Sequence, residues 1–252
     1  MHRHIAIFIL LLGTAMLRAN PCTAQTKEVN PTSQLWSEID LAGRISSKFK
    51  WQLDFQYSRQ SPYDNVDMFK DNSQFTIRPW LHYYPVKNLR ISAFYGLWYN
   101  FAIAEVGARQ YPEYRGALQV NYYTPVKRSL FTNRFRIEYR DIKDREGTFE
   151  QLYRGRYMLK YQHLLTHSDY DKNAIYLVSF DEFFANFGSK VTGYHLFDQN
   201  RIFLGIGYDL TNNITFETGY FNQFQQHAHD DHFDMNHIWQ ITLIVDNLNF
   251  GG

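Results

Sequence analysis

The sequence predicts an all-β fold, an antiparallel up-and-down transmembrane β-barrel of about 10 to 12 strands, and three features carry that expectation. Five short turn signals recur about 41 residues apart, centred near Ser46, Val86, Val126, Asp169 and Asn212, which is the period of repeated long hairpins. The segments between them alternate polar residues with aromatic or aliphatic ones, as a wall with two unlike faces requires. The first residues read as an export leader over 1–24. Arg3 supplies the positive segment, Ile5 to Leu12 the apolar core, and Cys22-Thr23-Ala24 the cleavage site before Gln25. Residues 25–252 then form a single barrel domain.

Eleven strand-like segments follow in order. The first, near 35 to 42, is short. The second, near 49 to 59, alternates most cleanly: Trp51, Leu53, Phe55 and Tyr57 point to lipid, while Gln52, Asp54 and Gln56 point to the lumen. The third, near 73 to 84, runs into Tyr83-Tyr84-Pro85-Val86-Lys87, a turn almost repeated in Tyr122-Tyr123-Thr124-Pro125-Val126-Lys127 after the fifth, near 111 to 124. Between them, the fourth (89 to 101) turns Leu89, Ile91, Ala93, Tyr95 and Leu97 outward, with Arg90, Ser92 and Gly96 inward. The sixth, near 129 to 141, sets Phe131, Phe135, Ile137 and Tyr139 against inward Thr132, Arg134, Arg136, Glu138 and Arg140. A one-residue slip there would move its charges into hydrocarbon, at about 2 to 4 kcal/mol for each Arg at mid-membrane, so register is well determined.

The seventh segment, near 151 to 165, carries Arg154, Arg156 and Lys160 on its lumen face. The eighth spans about 173 to 185. The ninth, near 199 to 209, contains Gly205 and Gly207 with no helix after them, so they relieve crowding at the wall rather than cradle a nucleotide. The tenth (213 to 225) starts at a tight turn, and the eleventh (236 to 248) ends near Leu248-Asn249-Phe250. Longer polar connections, near 60 to 72, 102 to 110, 142 to 150, 186 to 198 and 226 to 235, alternate with the five tight turns and are expected to face the medium. Bacterial single-chain barrels carry even strand numbers. Either Leu35 to Leu41 therefore stands outside the wall, giving the ten strands we favour, or residues near 25 to 33 add a twelfth.

Composition narrows the function. Aromatic residues make up 18% of the chain, as interfacial girdles demand, and a mean hydropathy of −0.46 is compatible with a wall that shows lipid only alternate residues. Without Arg3 and Arg18 the mature chain has 24 basic and 25 acidic residues, so nothing marks it as a nucleic-acid binder. Cys22 leaves with the leader, which excludes disulfides and cysteine-based catalysis. No run of 18 apolar residues exists beyond the leader, so no transmembrane helix is expected. The competing fold is a soluble sandwich or lipocalin-like barrel with its aliphatic residues inward. Strand length and aromatic content favour the membrane form.

The order of several motifs resembles a family of small outer-membrane barrels of Gram-negative bacteria, domain of unknown function 2490. They are Leu35-Trp36, Trp51-Gln52-Leu53-Asp54-Phe55-Gln56, Asn200-Arg201-Ile202-Phe203-Leu204-Gly205-Ile206-Gly207-Tyr208, Glu217-Thr218-Gly219-Tyr220 and His237. The resemblance implies a barrel fold and an outer-membrane location, and it supplies no catalytic residues. The aromatic end at Phe250 resembles the signal read by the barrel-assembly machinery, so that machinery and the lipid bilayer are the expected partners.

Two constellations could carry chemistry. Arg134, Arg136, Arg140, Arg154, Arg156 and Lys160, with Glu138 on the same face, would line one arc of the lumen. Such crowded cations need carboxylates, water or a bound anion. The arc is either a ladder of internal ion pairs or a charged element that selects a small anionic solute. The second constellation runs from His227 to His237. It contains His227, His229, His232, Asp230, Asp231 and Asp234 on the last long loop, a set suited to zinc, copper or nickel, to pH sensing, or simply to solvation. No catalytic constellation stands out. For a lipid-modifying enzyme the best set is Ser189, His195 and Asp198, and it is a poor one. The leading expectation is a small passive channel or solute-binding barrel with a basic lumen. The alternatives are that enzyme and a structural or adhesive barrel with a metal-binding loop.

Overall fold

Alternation in sequence becomes a closed wall in the computed structural model, which describes residues 27–144, 146–166, 172–187, 191–228 and 232–248. The leader, Ser189, His229 and Phe250 lie outside the described residues. Eleven strands follow one another: β1 (Glu28–Arg44), β2 (Phe49–Gln60), β3 (Asp71–Val86), β4 (Leu89–Asn100), β5 (Tyr111–Val126), β6 (Ser129–Lys143), β7 (Phe149–Leu164), β8 (Ile175–Asn186), β9 (Phe197–Thr211), β10 (Ile214–Gln226) and β11 (His232–Val245). Each pairs antiparallel with its neighbour in sequence, and β1 closes the barrel on β11 in parallel register, from Glu28 opposite His232 to Leu41 opposite Val245. No helix among the described residues is long and apolar enough to cross a membrane.

The favoured count of ten is corrected by β1. Leu35 to Leu41 is part of the wall, and residues 28 to 33 extend that same strand instead of adding a twelfth. In an up-and-down meander with an odd number of strands, the first and last run in the same direction. The parity problem is therefore resolved by one parallel pair, whose evenly spaced hydrogen bonds close the ladder as completely as antiparallel ones do. The connections are also less regular than expected. Four turns at one end are tight, but that between β7 and β8 spans 165–174, while two of the supposedly long connections span only 144–148 and 227–231.

Side chains sort between the two faces as the alternation requires. On β6, Phe135 and Ile137 are 59% and 64% exposed on the outer surface, while Arg136 and Glu138 are buried in the lumen. The lumen itself is packed. One apolar cluster (Leu164, Ala174, Tyr176, Val178, Phe203, Phe221 and Ile238) fills the side of β7 to β11 towards the tight turns, and Trp80, Phe94, Trp98 and Ala117 fill the side of β3 to β5. Phe180 stacks on Phe203 with ring centres 5.1 Å apart, so the plug is continuous within its half. The glycines of β9 make room for it: the Phe203 ring lies over Gly205 and the Tyr176 ring against Gly207, where any Cβ would collide with them.

Candidate functional site

Pairing of β6 with β7 sets Arg136 opposite Arg156 and Glu138 opposite Arg154. Two guanidinium groups at facing positions would repel strongly in a poorly solvated lumen. The carboxylate of Glu138, wholly buried, resolves this by accepting from three arginines. Arg154 donates through Nε and Nη2 to Oε2 at 2.9 and 2.6 Å; Arg156 Nη1 and Arg136 Nη1 reach Oε1 at 2.5 and 3.1 Å. Around this hub the signs alternate. Glu182 takes Arg156 Nε at 2.8 Å and Arg134 Nη2 at 2.6 Å, Asp198 takes Arg154 Nη1 at 2.7 Å, and Glu113 takes Arg140 Nε at 2.6 Å and Arg115 Nε at 2.5 Å. Lys160 stands apart, 3.9 Å from Glu217. The expected basic arc is thus assembled, and as a ladder of ion pairs. Glu113, Arg115 and Glu182 occupy inward positions of the strands flanking β6 and β7 and follow from the same alternation, whereas Asp198, expected in a loop beside His195, instead stands at the start of β9 and turns into the lumen.

The ladder does not balance. Seven guanidinium groups, those of Arg115, Arg134, Arg136, Arg140, Arg154, Arg156 and Arg201, face four carboxylates, Glu113, Glu138, Glu182 and Asp198. The surplus is clearest at Arg201, which forms no ion pair among the described residues. Its guanidinium lies over the rings of Phe184, Trp36 and Phe221, 4.7, 5.4 and 5.6 Å from their centres, and Nε donates to Gln199 Oε1 at 3.3 Å. Ring faces stabilise a cation without neutralising it, so the positive charge stays available.

Above Arg201 the lumen opens into a vestibule of about 740 Å³ at the end of the longer connections. Arg115, Arg140, Arg154 and Arg156 of β5 to β7 line it across from the amides of β1, β2 and β3 and from Arg78, while Arg201 of β9 lies beside Gln223 of β10, its partner in the ladder. The 101–110 connection reaches over it. Ile103 and Ala108 form a backbone bridge, Gly107 takes a left-handed φ of 65° to close the short helical turn Ala104–Val106, and Arg109 ties the loop to the carbonyls of Lys143 and Asp144. Deeper in the lumen, on the wall opposite the basic arc, Glu38, Asp40 and Asp54 bring carboxylate oxygens within 4.8 Å of one another, and Arg78 pairs with Glu38 and Asp54. This acidic group facing a basic arc polarises the barrel across its width.

At the mouth, His227 Nε2 meets Asp234 Oδ2 at 2.8 Å and His232 Nε2 meets Glu28 Oε2 at 2.9 Å, so the two described loop histidines engage different carboxylates. Zinc on this loop would have to exchange both contacts. The hydrogen bond to Asp234 raises the His227 imidazole above its ordinary value, with burial opposing it, and burial together with Asp234 pushes the nearby Tyr63 phenol up to about 12. A raised folded-state value means the bridge contributes fully below about pH 6.5 and is lost as pH rises through the folded value. The protection of the His227 amide, whose N–H donates to the His232 carbonyl, measured relative to its intrinsic exchange rate, is therefore expected to fall as pH rises above 6.5 and to lose this dependence in Asp234→Asn. A flat profile in the unaltered protein would refute the bridge. His195 sets its ring nitrogens against the carbonyl oxygens of Phe197 and His227, while Asp198 turns to Arg154, so these two do not form an acid–base pair.

Comparison with known proteins places residues 33–234 within the family described as Protein of unknown function (DUF2490). No curated protein matches the chain.

Proposed function

The chain belongs to the DUF2490 family, and from that premise we propose that it is an outer-membrane barrel whose lumen is a one-ended receptor for a small anion rather than an open channel. The observation that carries this reading is Arg201, a guanidinium with no ion pair among the described residues, held among aromatic rings at the floor of a 740 Å³ vestibule, where the ion-pair ladder already has more cations than carboxylates. A site of this kind offers an anion a charge-assisted, two-pronged hydrogen bond without first breaking a salt bridge. The packed clusters below favour binding over passage, because they leave side chains where a conducting pore needs water.

Planar-bilayer recordings of the refolded protein are expected to show no steady conductance. Calorimetric titration with sulfate, phosphate or succinate is expected to show binding that Arg201→Gln removes. Steady openings, or anion binding indifferent to Arg201, would overturn the proposal.

Membrane residence rests on the outer face, where Leu118, Phe135 and Ile137 are each more than half exposed. Ile137→Arg would place a charge on this band and is expected to cost about 2 to 4 kcal/mol of folding free energy in lipid. Unfolding titrations in liposomes measure it, and an unchanged midpoint would favour the soluble barrel.

A further inference from the structure

We infer that the anion taken by the vestibule is polyhydroxylated, a sugar bearing one carboxylate or phosphate group. The inference rests on the anion-receptor reading above and adds what the opposite wall requires of the ligand. Across from the arginines of β5 to β7, the wall built by β1, β2 and β3 carries the amides of Gln34, Gln56, Gln60 and Gln74 beside Arg78, and β10 adds Gln223, directly beside Arg201 in the β9–β10 ladder, and Gln225. The amides themselves carry no charge. A side-chain amide has two N–H donors and a carbonyl with two acceptor sites. Gln34 uses both donors, on Thr32 and Gln60, and Gln223 uses both on Gln199 and Gln225. Gln56 Nε2 donates only once, to Ser58 Oγ at 3.1 Å, and Gln74 Nε2 once to Asn100 Oδ1 at 2.7 Å, so capacity is left on Gln56, Gln74 and Gln225.

A hydroxyl group is donor and acceptor at once, and so matches an amide in either orientation. A row of hydroxyls could therefore lie along this wall while the acid group meets Arg201. An alkyl carboxylate would satisfy the arginine and strip water from the amides without replacing its hydrogen bonds, and sites built to bond hydroxyls reject analogues that lack them. A neutral sugar would satisfy the amides and leave the arginine surplus unmet. Inorganic phosphate answers the arginine but is too small to span the cavity to the far wall. The volume lies within the range typical of small-molecule sites.

The test is calorimetry on the refolded full chain with glucuronate, glucose 6-phosphate, glucose and hexanoate as probes. Binding of glucuronate or glucose 6-phosphate at least tenfold tighter than that of both glucose and hexanoate is the expected result, and the tighter of the two identifies the acid group. Hexanoate binding as tightly as both anionic sugars would overturn this inference while leaving the anion receptor standing. Glucose binding as tightly as either would overturn the anion receptor as well, and no binding by any probe would overturn both. Gln225→Met should weaken the anionic sugar about tenfold and leave hexanoate unchanged, whereas Arg201→Gln should weaken both. The wild-type probe series decides the question even if a variant fails to refold.

Discussion

Replacing Glu138 with glutamine is expected to destabilise the barrel by about 3 to 5 kcal/mol, the cost of removing one partner from a buried charge network. The side chain is wholly buried and accepts from Arg136, Arg154 and Arg156. Glutamine is nearly the same size, so packing is preserved and the electrostatic loss is isolated. Its amide would turn an N–H₂ group towards a guanidinium that can only donate, and the surplus of positive charge around the hub would grow by one. Denaturant unfolding of the refolded protein, followed by the gel shift between folded and unfolded barrel, measures the effect. Glu217→Gln is the matched control. Its contact with Lys160 is 3.9 Å long, and glutamine keeps a carbonyl oxygen to accept from the Tyr176 hydroxyl, so a change of only about 1 kcal/mol is expected. Equal effects from the two substitutions would mean that the hub has no special role.

Gly219→Val is expected to be comparably damaging for a steric reason. Gly219 faces Gly205 across β9 and β10, and a Cβ there would stand 2.5 Å from both the Gly205 Cα and the Leu204 carbonyl oxygen, with Phe203 Cζ at 2.7 Å. Two of these atoms are backbone, so relief requires separating paired strands or expelling the Phe203 ring from the plug. Overpacking of this kind costs about 1 to 3 kcal/mol or more. Gly116→Ala provides the contrast, since its nearest neighbour would be Tyr95 Cδ2 at an ordinary 3.5 Å. The fraction of heat-modifiable barrel recovered after refolding should fall sharply for Gly219→Val and stay unchanged for Gly116→Ala. Normal recovery for both would show that the wall yields at Gly219.

Much of this architecture can be read locally. Successive side chains on a strand point to opposite faces, so Trp51 to Tyr57 and Phe131 to Arg140 assign their own inward and outward residues without knowledge of their neighbours. The same rule located six of the lumen cations and Glu138, and it explains Gly205 and Gly207 as space for inward rings. The partners of those cations were harder to read. Glu182 reaches Arg156 from the next strand, but it also reaches Arg134 two strands away, as Asp198 reaches Arg154, and only the barrel's curvature brings these pairs together.

Alternation along the chain sorted the residues of each strand into two faces and gathered the arginines of β6 and β7 on one of them, because the pleat of an extended backbone enforces a period of two wherever the strand lies. The recurring turns, the strand lengths and the aromatic content together made that wall a barrel with the charged face inward. Tertiary structure alone decided the eleven-strand count, the parallel closure of β1 on β11, and the exposure of Arg201 above an aromatic floor. Closure joins residues some 200 positions apart, and the floor is drawn from β1, β8 and β10, so both depend on how side chains fill a shared interior, which no single strand encodes.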